Sequence, residues 1–347
     1  MSTAGLVRLL DRANRRPGAV LLRAVLMPAG WGYGLITGAR NWLFDKKICA
    51  AYNPRVLTIS VGNITAGGTG KTPIVIWLVN KLIQAGLKPA VLTRGYKSKG
   101  GEISDEPAII ERACAGTKVL INSNRIASAR RAVYELARNV LVLDDGFQHR
   151  RLARDVEILA IDATRPFGYG RMIPAGLLRE SIGSIRRAHA VIITRCDLVK
   201  KDELDSIIDK IEEINPRAVI ATSRHKLGEV RFGDGTAADI GEMAGKKIFA
   251  FCGIGNPEAF FDQLQKCGLE VVAKRVFADH HNYSQSELDD VLAKAQQTGA
   301  QAAITTQKDF LKLETLKAGG NVKLGFAGVR LEFIEGEDRI AGLIIDD

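Results

Sequence analysis

Two short stretches of this chain carry residue types at spacings that do chemistry. The first is VGNITAGGTGKTP (61–73). Its end, Gly70-Lys71-Thr72, fits the pattern G-x-x-x-x-G-K-[ST], a loop that cradles nucleotide phosphates between a strand and a helix. Thr65 stands where the pattern has its first Gly, and Gly67 and Gly68 still let the backbone wrap closely. From Thr65 and Ala66 through Gly67, Gly68, Thr69 and Gly70, successive N–H groups can face phosphate oxygens, with the helix N-terminus adding its positive end. In this pattern Lys71 reaches the β- and γ-phosphates and the Thr72 hydroxyl ligates Mg²⁺. The second stretch is LVLDDGFQ (141–148), an apolar strand that ends in Asp144 and Asp145. A strand next to a P-loop holds Mg²⁺ from such a position, and adjacent carboxylates repel unless a cation joins them. The two stretches predict binding of a nucleoside triphosphate and transfer or hydrolysis of its γ-phosphate.

These residues need a scaffold, and the pattern around them supplies one. RVLTISV (55–61) is a short β-rich run, and Pro73–Ala85 has apolar residues at helical spacing. Pro73 sits where its missing N–H costs little, and Gly86 closes the helix. Further strands are expected at Ala90–Thr93, Lys118–Ile121, Val140–Leu143, Val156–Ile161 and Ala190–Thr194, with a helix at Arg125–Arg138. Apolar strands alternating with helices predict an α/β fold with a doubly wound, mostly parallel sheet. A second set begins near Lys246: strand KIFAFCG, helix Pro257–Cys267, strand Leu269–Val276, helix Ser284–Gln297 and strand Ala302–Thr306. The expected division is therefore an N-terminal segment (1–50), a P-loop domain (51–225), a polar Gly-rich linker (226–245) and a smaller C-terminal α/β domain (246–347).

Residues 17–44 are apolar but carry Arg23, Pro28, Gly30, Gly32 and Gly34, and a membrane-spanning helix needs about 20 apolar residues without such breaks. Trp31, Tyr33 and Trp42 mix with Arg8, Arg12, Arg15, Arg16, Arg40, Lys46 and Lys47, a composition suited to a segment lying in an anionic lipid interface. A helical pair packed on the domain would carry the same residues. The net charge of +10 calls for an anionic partner, while 6% aromatic residues argue against nucleic acid. Five widely spaced cysteines, with no C-x-x-C, predict reduced thiols and neither disulfides nor a zinc site.

Taken in order, VGNITAGGTGKTP, LTRGY (92–96), SDEP (104–107), LDDGFQHRRLARD (143–155), GRMIPAGLLRE (170–180), FADHHNY (277–283) and TTQKD (305–309) closely resemble the tetraacyldisaccharide 4′-kinases of Gram-negative bacteria. The P-loop alone is not specific; the acidic and histidine strings in this order are. The resemblance implies ATP- and Mg²⁺-dependent phosphorylation of the 4′-hydroxyl of an acylated glucosamine disaccharide 1-phosphate. It also implies two α/β lobes and a monotopic enzyme on the cytoplasmic face of the inner membrane, where the basic, apolar N-terminus reaches an anionic lipid substrate. By the same resemblance Asp105 matches the carboxylate that takes the sugar proton, with Glu106 beside it, and His280 matches the histidine that assists. His281 next to it leaves that choice open. Asp144, Asp145, Gln148 and His149 match the acidic motif near metal and phosphates, and Arg179-Glu180 a further pair in which Glu180 partners the metal. Ser104 departs from the Gly expected before Asp-Glu-Pro.

Two other readings start from the same loop. A membrane-associated nucleotide switch of the deviant P-loop kind carries a Lys where this chain has Ala66, and Thr194-Arg195-Cys196-Asp197 lacks the Asn and Lys of a guanine-reading N-K-x-D. A non-catalytic scaffold that keeps a nucleotide site has no need of Lys71, Thr72, Asp144 and Asp105 together.

Overall fold

The computed structural model describes residues 9–10, 14, 16–95, 106–255, 257–279 and 281–345. Asp105 and His280 lie outside the described residues. The chain divides into two compact units: residues 1–224 with 331–347, and residues 225–330.

The first unit opens with a helix, α1 (Pro17–Asp45). It continues with β1 (Leu57–Gly62), α2 (Lys71–Gln84), β2 (Pro89–Thr93), α3 (Glu106–Ala113), β3 (Lys118–Ile121) and α4 (Arg125–Arg130), which runs on as a wider π turn to Glu135. Then come β4 (Val140–Asp144), β5 (Val156–Asp162), β6 (Ala190–Thr194) and α5 (Lys201–Ile214). The chain leaves this unit within β7 (Val219–Phe232) and re-enters it within a later strand. Strands β1 to β6 and the start of β7 are parallel, in the order β7-β6-β5-β1-β4-β2-β3. Such strands are buried on both faces and read as apolar runs; β2, β4, β5 and β6 are buried at every residue. Chain connections diverge on either side of β1, and in open α/β sheets ligands bind beyond the carboxyl ends of strands at such a point.

The second unit takes the rest of β7 with β8 (Ala237–Asp239), β9 (Lys247–Cys252), α6 (Pro257–Lys266), β10 (Glu270–Val276), α7 (Gln285–Gln297), β11 (Ala302–Thr306), α8 (Gln307–Leu313) and the start of β12 (Lys323–Glu335). Here β10, β9, β11 and β12 are parallel neighbours, and β8 pairs antiparallel with β7. The remainder of β12 and α9 (Glu337–Ile345) belong to the first unit, where Ile340 and Ile344 are buried with Val79 and Leu82 of α2.

Three features differ from the sequence expectation. Residues 226–245 are strand and turn, not linker: Leu227, Val230, Ile240 and Met243 are buried in the second unit's core. The glycines that made this stretch look loose serve local fits; a Cβ at Gly228 would meet Arg330 Cδ at 2.6 Å. The C-terminal residues 331–347 belong to the first unit. And α1 is one helix of 29 residues that continues through Pro28 and its glycines. By length and composition it could cross a membrane, though its placement says more. Val20, Leu21, Val25, Trp31, Leu35, Ile36 and Trp42 are exposed. At 100° per residue these fall within one broad stripe. The opposite side is docked: Ala19, Arg23 and Gly30 are buried, and a Cβ at Gly30 would meet Met172 O at 3.2 Å. All five cysteines are free, and burial pushes the Cys114 and Cys252 thiols up to about 12.

Candidate active site

The glycine loop starts where β1 ends and α2 begins. Gly67 and Gly70 take positive φ (117° and 79°), a conformation that L side chains rarely adopt. Gly70 is the N-cap of α2, so Lys71 and Thr72 are the first residues of the helix, beside its unpaired N–H groups. Two contacts fix the loop from outside. The Thr194 hydroxyl at the end of β6 donates to Thr69 O (3.0 Å). The segment 177–179 runs alongside: Ala66 N donates to Leu177 O (2.6 Å) and Arg179 N to Ile64 O (2.7 Å). That pairing delivers the Arg179 side chain to the loop.

Beside it, β4 runs parallel to β1 with Asp144 opposite Val61. Asp145 follows in the left-handed region (φ 52°). The turn is held by buried Arg125, whose guanidinium donates to Asp144 O (2.5 Å) and Asp145 O (3.2 Å). Lys71 Nζ lies 3.3 Å from Asp145 Oδ1 and donates to Asn63 Oδ1 (3.2 Å). Arg179 Nη1 donates to both carboxylate oxygens of Asp145 (2.9 and 3.1 Å) and to Asn63 Oδ1 (3.3 Å). Burial alone would raise the Asp145 pKa, but the two cations outweigh it and hold the carboxyl below its usual range. Asp144 shows the opposite balance: burial pushes it up to about 6 against the pull of Lys71, with Asp145 and Glu106 adding repulsion.

The structure therefore brings together Thr65–Thr72, Asp144, Asp145 and Arg179, with Glu106 close enough to act on Asp144 electrostatically. Gln148 serves the backbone, donating from Nε2 to Asn63 O (2.9 Å). His149 is half-buried; burial, with Arg125, Arg154, Arg40 and Arg151 around it, pulls its pKa down to about 4, so the ring is neutral at pH 7. Glu180 has other partners than those expected of a metal ligand. It is buried, and its Oε2 accepts from Asn41 Nδ2 of α1 (2.7 Å) and Arg187 Nη1 (2.8 Å). Asn63, Arg125, Arg187 and Asn41 carry no role legible in the sequence, and Arg40, expected only as an interfacial cation, also bonds to Gln148 O. Asn63 stands one residue past β1 within the quoted motif; the others are lone polar residues without a spacing signal.

The site fits a nucleotide and Mg²⁺. The loop supplies backbone donors and a helix N-terminus for phosphates, and Thr69 Oγ1 is buried within the cradle without a protein partner. Among the described residues no cluster of three or more His, Cys, Asp or Glu could hold a metal unaided. Mg²⁺ is usually held by one or two carboxylates with substrate phosphates and water, and the Thr72 hydroxyl with Asp144 supplies that kind of oxygen donor.

A family model described as Tetraacyldisaccharide-1-P 4'-kinase matches residues 22–345. The chain belongs to the tetraacyldisaccharide-1-P 4′-kinase family. A tetraacyldisaccharide 4′-kinase of Anaeromyxobacter sp. (strain Fw109-5) is 37% identical over 344 residues, covering 94% of this chain and 91% of that one. One of Syntrophus aciditrophicus (strain SB) is 36% identical over 88% of this chain and 87% of its own length. The crystal structure of LpxK from Aquifex aeolicus in complex with ATP matches with a TM-score of 0.72 at 26% identity, covering 94% of this chain and 99% of that one. Membership makes this chain a kinase, with ATP as phosphate donor and lipid A biosynthesis as its setting.

Proposed function

We propose that this kinase moves the γ-phosphate of ATP to the 4′-hydroxyl of tetraacyldisaccharide 1-phosphate, with Asp105 as base and His280 assisting it. The observation that carries the nucleotide half is the convergence of Lys71 and Arg179 on Asp145 and Asn63 at the N-terminus of α2. Phosphoryl transfer needs little covalent help from the protein and much positioning and charge. Lys71, Arg179 and the helix N-terminus provide positive charge for the phosphate and leaving-group oxygens on which negative charge lies in the transition state. Thr72 and Asp144 would hold Mg²⁺, which would supply charge neutralisation for the phosphates. An alcohol is a poor nucleophile, and a free Asp, with a pKa near about 4, is a weak base; a second group sharing the proton therefore helps. His281 is committed elsewhere: its Nε2 pairs with Glu287 Oε1 (3.0 Å), and its ring stacks on Phe277 (centroids 4.9 Å). That supports His280 as the assisting residue.

The lipid half rests on α1. Its exposed apolar stripe with Trp31 and Trp42 suits the interface of an anionic bilayer, on the cytoplasmic face, where ATP is present. Its opposite side bonds to the site's own loops through Arg40 Nη2 to Gln148 O (2.5 Å) and Asn41 to Glu180. The test is transfer of label from γ-labelled ATP, with Mg²⁺ and detergent, to tetraacyldisaccharide 1-phosphate. Labelled lipid carrying its new phosphate at the 4′ position, and absent with Lys71→Ala, is the expected result. Free phosphate without labelled lipid would overturn the proposal.

A further inference from the structure

TTQKD (305–309) has no part in the chemistry above, yet its last residue is among the most enclosed side chains of the second unit. Asp309 is 0% exposed. Its Oδ2 accepts from Gly253 N (2.9 Å) and from the Thr306 hydroxyl (2.7 Å). Gly253 directly follows β9, and Thr306 caps α8 and accepts from Asp309 N (3.2 Å). The other oxygen, Oδ1, and the buried Tyr283 hydroxyl both face Gly253: a Cβ there would lie 3.2 Å from each, and 2.9 Å from Ala278 O. Burial, then the charge of Asp309, raises the Tyr283 phenol above its ordinary range, so that it stays protonated near the carboxylate.

Tyr283 ends the FADHHNY string. Its ring packs edge-on against Phe277 and His281 (centroids 4.9 and 5.0 Å). Phe277 N in turn donates to Cys252 O (2.9 Å), the residue before Gly253. The buried carboxylate thus bonds the strand-end turn after β9, one residue past the carbonyl that holds Phe277 N, with the Tyr283 hydroxyl close by at the other end of the histidine string. A charge this deep is costly to bury; Oδ2 is served by two neutral donors and Oδ1 is buried without a hydrogen-bond partner, so the carboxylate is not there to balance an ion pair.

We propose that Asp309 is a positioning residue for the reaction, acting through Gly253 and Tyr283 to fix the 277–283 loop that carries His280. This rests on the assignment of His280 as the residue assisting the base. The test compares Asp309→Asn, which keeps the shape, and the milder Tyr283→Phe, each alone and combined with His280→Ala. Asp309→Asn is expected to lower kcat by about tenfold or more while the KM for ATP stays within about twofold, and to lose little further once His280 is absent, because residues acting as a unit are non-additive. Tyr283→Phe is expected to show the same pattern more weakly. Amide exchange at 277–283 is expected to speed up in Asp309→Asn with exchange in β1 and α2 unchanged. Equal losses with and without His280, or unchanged exchange at 277–283, would overturn the proposal. Wild-type turnover in His280→Ala would instead sink the assignment of His280, and the exchange measurement would still decide whether Asp309 holds the loop.

Discussion

The two units treat a carboxylate near a strand end in opposite ways. At the end of β4, Asp145 sits among charges: Lys71 and Arg179 lie on its side chain and Arg125 on its backbone. Just past β11, Asp309 is served by neutral donors, Gly253 N and the Thr306 hydroxyl, with the Tyr283 hydroxyl alongside. The first arrangement keeps cations in place by giving them an anion within the protein, as a site must that receives a polyphosphate. The second has no cation to offer and holds a turn and a loop in register. In the proposed function, charge handles the nucleotide; in the proposed positioning role, neutral hydrogen bonds handle geometry.

That contrast can be broken in several places. The largest effect is expected at Asp105. Asp105→Ala should lower turnover by about 10²–10⁴-fold, the usual worth of a general base, and leave ATP affinity unchanged. Near-normal turnover in steady-state assays would remove Asp105 as base. Next is the ion pair between Glu180 and Arg187, a buried pair within the charged unit. Arg187→Ala leaves the buried Glu180 carboxylate with Asn41 Nδ2 as a neutral donor, and stranding a buried charge costs about 3–5 kcal/mol. Thermal unfolding should show a clear drop in Tm, smaller when Glu180→Gln is added to Arg187→Ala. No recovery on adding that second change would mean that the charge on Glu180 is not what destabilises the variant. The smallest effect concerns α1. Replacing Trp31, Leu35 and Trp42 together by Ser should weaken sedimentation with anionic vesicles by roughly tenfold or more, from lost apolar burial, with Tm little changed because these side chains are exposed. Unchanged sedimentation would refute interfacial docking by this stripe.

The charged region was the more legible of the two in sequence. Gly70-Lys71-Thr72 and Asp144-Asp145 are read from spacing because backbone phosphate cradles and strand-end carboxylates demand fixed residue types. The strands of the first unit stand out because burial on both faces makes them apolar runs. β7 is hard to read from sequence because exposed Arg224, Lys226 and Arg231 interrupt its buried residues and because Gly228 reads as a loop signal. The return of 331–347 to the first unit is a tertiary contact with no local sign. Asn63 and Arg125 act through hydrogen bonds to residues distant in sequence or to backbone carbonyls, which leave no spacing pattern. Pro28 reads as a break, yet α1 passes through it intact.

The most direct test of the division between charge and geometry is an equilibrium titration of ATP with Mg²⁺ against Lys71→Ala and His280→Ala, alongside wild type. The account predicts that Lys71→Ala weakens ATP binding markedly and that His280→Ala binds ATP as wild type does while turning over slowly. Loss of ATP affinity in His280→Ala equal to that in Lys71→Ala would contradict it.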